Sequence, residues 1–226
     1  PFTRRHVLQG TALGLTALAT GCASVALPAK ARVVVVGGGW GGLAAVRDLL
    51  ADASVQVTLV EPNEGFMSCP LSAHYIVGLQ PASDFQRSYA KLDELGVRRV
   101  REKALEIDRV KAQVVTATQR IGYDFLVLSP GIEYMEDAIA GYAQARDQLP
   151  VGFRAFEQAA VKREVDAFLT HGGTFVISAP KPPYRCPPAP YERAFLMAEQ
   201  MKKRGTKGKI LILDANPAPT PPPIAQ

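Results

Sequence analysis

The fold is decided at residues 32–42, which read RVVVVGGGWGG. The valine run is β-branched and uninterrupted, which predicts a strand buried on both faces of a parallel sheet. The glycines after it have the spacing Gly37-x-Gly39-x-x-Gly42, and an amphipathic pattern over residues 43–50 predicts a helix next. A strand, a glycine turn and a helix in this order form an anion-binding site, because the helix N-terminus presents unpaired N–H groups.

A second strand, predicted over residues 55–60, completes the unit and ends at Glu61. In a dinucleotide-binding βαβ unit Gly37 permits the tight turn, Gly39 lets pyrophosphate approach the backbone, and Gly42 lets helix and strand pack closely. Glu61 is placed to accept hydrogen bonds from ribose hydroxyls, and an acid there disfavours the 2′-phosphate of NADP. A glycine-rich turn with no ligand is the alternative interpretation.

The segment after this unit favours FAD over NAD as the ligand. Residues 97–120 have the pattern of short alternating strands, and residues 123–131 predict a buried strand that leads into a turn at Gly131. This arrangement resembles the segment that returns the chain to the flavin in flavoproteins with two dinucleotide domains. Gly131 and Ala104 are assigned as further cofactor contacts. We expect residues 32–150 to form an α/β, Rossmann-type FAD-binding domain with a parallel sheet, helices and a β-meander.

An incomplete second Rossmann-like domain is predicted over residues 151–214. Helices are expected at residues 155–170 and 191–203, and strands at residues 174–178 and 209–213. The turn of this second βαβ unit holds prolines in place of glycines, and prolines supply no N–H donors for a pyrophosphate. Residues 215–226 are expected to be an extended, proline-rich tail.

The first 26 residues are predicted to be a targeting segment. Arg4 and Arg5 precede a short, weakly apolar stretch, which is typical of a twin-arginine signal that exports folded proteins. Cleavage is expected near Ala26, and Cys22 offers a competing site for a lipid anchor. We therefore expect a periplasmic protein with no integral membrane segment. The formal net charge is +5, and the positively charged residues are scattered along the chain, which argues against nucleic-acid binding.

Two cysteines remain after this segment, Cys69 in an irregular loop and Cys186 in the proline-rich turn. Composition by itself favours buried structural cysteines or one disulfide between them. The position of Cys186 favours a redox thiol, because it replaces the glycines of a nicotinamide-binding turn. The nearby helix N-terminus and Arg185 are expected to favour its thiolate form. No metal site is predicted, and His74 is interpreted as a loop residue.

These segments resemble the flavoprotein subunit of flavocytochrome c sulfide dehydrogenase, within the sulfide:quinone oxidoreductase-like flavoproteins. The resemblance spans residues 32–214 and rests on the glycine turn, residues 57–63 and 123–131, and the motifs around the two cysteines. It implies that Cys69 bonds to the flavin 8α-methyl as a thioether and that Cys186 is one half of a redox-active disulfide. Sulfide would attack that disulfide, and FAD would pass the electrons to a c-type cytochrome subunit.

The matching residues cover only the front part of the family's proteins. The second cysteine of the disulfide belongs to the family's C-terminal half, so we interpret the chain as truncated. Two alternatives stay open, a sulfide:quinone oxidoreductase-like enzyme and a non-catalytic flavin-binding fragment. A type II NADH dehydrogenase is disfavoured, because the second turn lacks glycines.

Overall fold

The computed structural model describes residues 30–154, 157–181 and 183–217. Eleven strands and six α-helices lie in these ranges, and two 3-10 turns, at Ala82–Asp84 and Glu136–Ala138, connect them. In chain order they are β1 (Ala31–Val36), α1 (Trp40–Leu49), β2 (Val55–Val60), β3 (Gly65–Met67), α2 (Ser72–Ile76), β4 (Gln86–Ser88), α3 (Ala90–Glu94), β5 (Arg98–Val100), β6 (Glu106–Asp108), β7 (Gln113–Val115), β8 (Arg120–Gly122), β9 (Phe125–Leu128), α4 (Tyr142–Ala145), α5 (Gln158–His171), β10 (Gly173–Ala179), α6 (Ala189–Arg204) and β11 (Gly208–Asp214).

The main sheet has the strand order β5-β2-β1-β9, and each neighbouring pair is parallel. An antiparallel meander of β6, β7 and β8 forms a separate small sheet, and β3 pairs with β4. The predicted α/β class, with its parallel sheet and β-meander, is confirmed. Because the strands run in parallel, the chain leaves β1, β2 and β9 at the same edge of the sheet, where the glycine turn lies.

Strand β1 is buried on both faces, as its valine run predicts. Val33 and Val35 pack on the side of α1 with Val46, and Val34 and Val36 pack on the side of the meander. Each fully buried valine contributes about 1.5–3 kcal/mol relative to an exposed one. This burial fixes the direction of the chain as it enters the glycine turn.

The second half of the chain is a further βαβ unit, as predicted. Strands β10 and β11 are parallel, and α6 connects them. Helices α5 and α6 do not stand apart from the first half, because Val165, Phe168 and Met197 share one apolar cluster with Ile76 and Val77. The two halves are therefore packed together through α2 and the loop before it, which contains Cys69.

Several local predictions are wrong in detail. Residues 123–131 are not a buried strand, since only β9 forms and Phe125 and Leu128 are 64% and 59% exposed. The cause is position, because β9 is the edge strand and, in the described ranges, pairs with β1 alone, so its side chains have a neighbouring strand on one side only. Helix α1 begins at Trp40, three residues before the predicted start, because the amide of Leu43 already bonds to the carbonyl of Gly39 at 2.9 Å.

His74 is not a loop residue. It lies in the short helix α2, where its Nδ1 is 2.9 Å from Oε1 of Gln80. The predicted targeting segment, with Cys22, and most of the proline-rich tail lie outside the described residues. No helix in the described ranges has the length and apolar content needed to cross a membrane.

Candidate functional site

The glycine turn between β1 and α1 is closed by packing at two positions and open at the third. A Cβ at Gly37, where φ is +96°, would lie 2.0 Å from the carbonyl oxygen of Ser129. A Cβ at Gly42 would lie 1.9 Å from the carbonyl oxygen of Gly37. At Gly39 a Cβ would meet no atom within 4 Å. The close packing predicted at Gly37 and Gly42 agrees with this geometry. The open side at Gly39 leaves room for a phosphate group, whose binding stays a prediction.

Glu61 lies at the carboxyl end of β2 and faces this turn. Its carboxylate accepts hydrogen bonds from the amide of Gly38 at 2.9 Å and from the amide and side chain of Asn63 at 3.0 and 2.7 Å. Glu61, the acid predicted to lie next to the glycine turn, is thus in contact with it. Contact with a ribose stays a prediction.

Tyr89 also fixes the turn, and the sequence patterns did not indicate it. Its hydroxyl donates a hydrogen bond to the carbonyl of Gly38 at 2.8 Å, and its side chain is only 1% exposed. Burial raises the pKa of Tyr89, so the phenol stays protonated and remains a donor. Tyr89 directly precedes α3, in a segment predicted to be helical near residues 88–95, and no local pattern indicates its contact with the glycine turn.

The loop that carries Cys69 is attached to the start of α1. The indole N–H of Trp40 donates to Oγ of Ser68 at 3.1 Å, and that hydroxyl donates to the carbonyl of Pro70 at 3.2 Å. Leu71 closes the loop with a left-handed backbone, φ +63°, which is rare for a residue with a side chain. The half-buried thiol of Cys69 is therefore held beside the glycine turn.

Cys186 lies three residues before the first residue of α6, and its side chain is exposed. Its backbone is also left-handed, with φ +55°, and its carbonyl accepts a hydrogen bond from the amide of Ala189 at 2.9 Å. Left-handed non-glycine residues cost free energy and cluster at functional sites. Here they occur in both cysteine loops.

The two cysteine loops lie in the same region, because α2, which follows Cys69, packs against α6, which follows Cys186. Burial raises the pKa of the Cys69 thiol, the charges of Arg185 and Arg193 lower it, and the neighbouring Cys186 raises it. Both thiols are free. Arg193 lies on the first turns of α6 and was not assigned to the site from the sequence. It belongs to this region because α6 packs on α2.

The remaining predicted contacts have different surroundings. Gly131, with φ +82°, follows the Ser129–Pro130 backbone against which Gly37 packs. Ala104 packs instead against the apolar cluster on the meander side of β1. The glycine turn, Glu61, the Cys69 loop and the turn at Gly131 thus converge at one edge of the sheet, and Ala104 lies beneath the sheet face that the meander covers.

Two family models match the chain. Residues 31–163 match the pyridine nucleotide-disulphide oxidoreductase family, and residues 159–221 match the family described as the central part of the sulfide dehydrogenase [flavocytochrome c] flavoprotein chain. The chain is 28% identical to the sulfide-quinone reductase of Aquifex aeolicus over 184 residues, which are 79% of this chain and 41% of the relative.

Two further comparisons agree with these matches. The chain is 55% identical over 42 residues to the sulfide dehydrogenase [flavocytochrome c] flavoprotein chain of Chlorobaculum thiosulfatiphilum, covering 18% of this chain and 88% of that sequence. The crystal structure of the sulfide:quinone oxidoreductase from Aquifex aeolicus superposes with a TM-score of 0.71 at 27% identity, covering 83% of this chain and 44% of the other. The chain thus spans less than half the length of that enzyme.

Proposed function

Because the chain belongs to the pyridine nucleotide-disulphide oxidoreductase family, among the flavoproteins related to sulfide:quinone oxidoreductase and flavocytochrome c sulfide dehydrogenase, we propose that it is the FAD-binding front part of a sulfide dehydrogenase. The observation that carries the proposal is that the Cys69 loop is attached to the start of α1, while α2, which follows that loop, packs against α6, which follows Cys186. In the family's cofactor-binding fold that turn is where the pyrophosphate of a dinucleotide lies.

The residues of the turn fit FAD. We assign the pyrophosphate to the open side of Gly39 and the amides at the start of α1, and the ribose hydroxyls to Glu61. Gly131 and Ala104 are assigned to the same cofactor. When bound, FAD would accept two electrons together and pass them on one at a time, and amino-acid side chains do not provide this chemistry.

We assign the reaction with sulfide to Cys186. In the whole protein it forms a disulfide with a second cysteine from the part that follows this chain. The hydrosulfide sulfur bonds to one sulfur of that disulfide while the disulfide bond breaks, so the substrate is bound as a persulfide and the other cysteine leaves as a thiolate. The exposure of Cys186 supports this assignment, because a small nucleophile can reach it, and its left-handed backbone is of the kind that clusters at functional sites.

Cys69 is assigned to a thioether with the flavin 8α-methyl group. The attachment of its loop to the start of α1 supports this, since the thiol is held beside the proposed pyrophosphate site. A covalent link would retain the cofactor in a compartment that cannot resupply it. We accordingly place the protein in the periplasm, exported by the segment around Arg4 and Arg5.

We propose a c-type cytochrome subunit as the electron acceptor, in line with the similarity to the flavocytochrome c flavoprotein chain. A quinone is the second candidate, and it is favoured by the longer match to the sulfide-quinone reductase of Aquifex aeolicus. The two acceptors are distinguished by assay. Sulfide-dependent reduction of cytochrome c, without reduction of a soluble quinone, would support the first and exclude the second.

The first experiment tests for the covalent flavin. The exported protein is precipitated with acid, and the Cys69 peptide is examined by mass spectrometry, with a Cys69→Ser variant as control. A flavin mass on the wild-type peptide alone is the expected result. Colour released into the supernatant would refute the thioether and favour the quinone-linked relatives. A wild-type protein that binds no FAD would refute the proposal and leave a non-catalytic fragment.

A further inference from the structure

Two arginines, one of which directly precedes Cys186 in the chain, lie against one aromatic ring. The guanidinium carbons of Arg185 and Arg193 are 5.9 and 5.3 Å from the ring centroid of Phe153. In the described ranges neither arginine forms an ion pair with a carboxylate. Glu192 acts on Arg193 electrostatically but forms no ion pair with it. Two cations that share one ring repel each other, and an anion between them would relieve that repulsion.

Arg193 is held in place by a neutral group. Its Nη1 donates a hydrogen bond to the carbonyl of Val151 at 2.7 Å, and its guanidinium stacks over Phe153. It is half-buried, and burial lowers its pKa, although an arginine remains charged at neutral pH. A charge removed from water acts more strongly on its neighbours than an exposed one.

The charge of Arg193 acts on both thiols, because Cys69 and Cys186 are among the groups that interact with it electrostatically. Arg185 precedes Cys186 in the chain and also acts on Cys69. Because Arg185 and Arg193 share the ring of Phe153, both cations lie at the turn that carries Cys186. A nucleophile that attacks a cysteine sulfur reacts as an anion.

We propose that Arg185 and Arg193 form an anion site at the cysteine pair that binds the substrate as hydrosulfide. The inference rests on the proposed function, and it adds the residues that select the ionised form of the substrate. Arg193 is the specificity-determining residue, because its guanidinium is already fixed by Val151 and Phe153 before an anion arrives. Arg185 is exposed and adds long-range attraction.

The first test measures charge selectivity at Cys186 and needs no flavin. The purified full chain is alkylated with iodoacetate, an anion, or with neutral iodoacetamide, and the rates are read on the Cys186 peptide by mass spectrometry. We expect Arg193→Met to lower the iodoacetate-to-iodoacetamide rate ratio about fivefold, and Arg193→Lys to restore most of it. Arg163→Gln removes an exposed arginine of α5 and should leave the ratio unchanged.

Salt provides an internal check, because added sodium chloride should lower the wild-type ratio toward that of Arg193→Met. If Arg193→Met does not fold, Arg185→Met, at an exposed position, takes its place with a smaller expected loss. A ratio that is the same in wild type and in both methionine variants would overturn the anion site.

The second test uses sodium sulfide and the FAD-loaded whole protein, which carries the second cysteine of the proposed disulfide. The sulfide concentration that gives half-maximal flavin bleaching should rise at least about fivefold in Arg193→Met and stay unchanged in Arg163→Gln. Altered alkylation with unaltered sulfide dependence would overturn the assignment to hydrosulfide. Bleaching in wild type, with no effect of Arg193→Met in either test, would reject the inference and keep the proposed function. No bleaching in any variant would reject the proposed function and, with it, the hydrosulfide assignment.

Discussion

Two alanine substitutions in the glycine turn should separate packing from cofactor binding. At Gly42 a Cβ would lie 1.9 Å from the carbonyl oxygen of Gly37, inside the roughly 3.0 Å that real Cβ contacts respect. The strand and the helix would have to separate by about 1 Å. At Gly39 the backbone has φ −71° and ψ −168°, which alanine adopts without strain, and the added Cβ meets no protein atom within 4 Å.

The magnitudes follow from these contacts. Overpacking of this kind costs about 1–3 kcal/mol, and for a chain of this size about 2 kcal/mol lowers Tm by roughly 4–8 °C. We therefore expect Gly42→Ala to be destabilised by about that amount. Gly39→Ala should lose less than about 1 kcal/mol, the cost of a poorer helix N-cap. Its methyl group would occupy the space assigned to the pyrophosphate, and we expect FAD affinity to fall at least about tenfold.

The assay combines thermal unfolding without FAD with a titration in which flavin fluorescence reports binding. Gly42→Ala should unfold at lower temperature, and Gly39→Ala should unfold close to wild type but bind FAD weakly. Arg163→Ala, a substitution on an exposed face of α5, serves as the control and should change neither Tm nor FAD affinity. Wild-type FAD affinity in Gly39→Ala would refute the assignment of the pyrophosphate to this turn.

Two further predictions concern stability. Tyr89→Phe removes the hydroxyl that donates to the carbonyl of Gly38 at 2.8 Å, and it should lower the free energy of unfolding in urea by about 1–3 kcal/mol. Tyr123→Phe is the control and should cost less, because the Tyr123 hydroxyl has no hydrogen bond among the described residues. Equal losses in the two variants would contradict the role of Tyr89. The hydrogen bond from the Thr118 side chain lowers the pKa of Glu102 from 4.5 to about 2. Because the folded pKa is depressed, the stabilisation is present above pH 4.5 and is lost as the pH falls toward 2. Glu102→Gln should therefore be less stable than wild type at neutral pH and equal to it near pH 2 in pH-dependent unfolding, and a difference that persists at pH 2 would count against this cause.

Local patterns predicted the parts of the site that are contiguous in the chain. The valines of β1 and the spacing of Gly37, Gly39 and Gly42 depend on neighbours within a few residues, so the strand and the turn were predicted. Tyr89 was not, because its contact with Gly38 joins residues 51 positions apart. The exposure of β9 was missed because a strand's own pattern does not show whether another element covers it.

The sequence by itself determined the parallel βαβ unit, the glycine turn and the acid that bonds to it, since each depends on backbone geometry that a short segment specifies. Tertiary structure alone decided that the loops of Cys69 and Cys186 lie in one region and that Arg185 and Arg193 share the ring of Phe153. The cysteines lie in different halves of the chain, and their approach follows from the burial of Ile76 and Val77 against α5 and α6. Apolar burial has no direction, so no spacing rule predicts which loops it brings together.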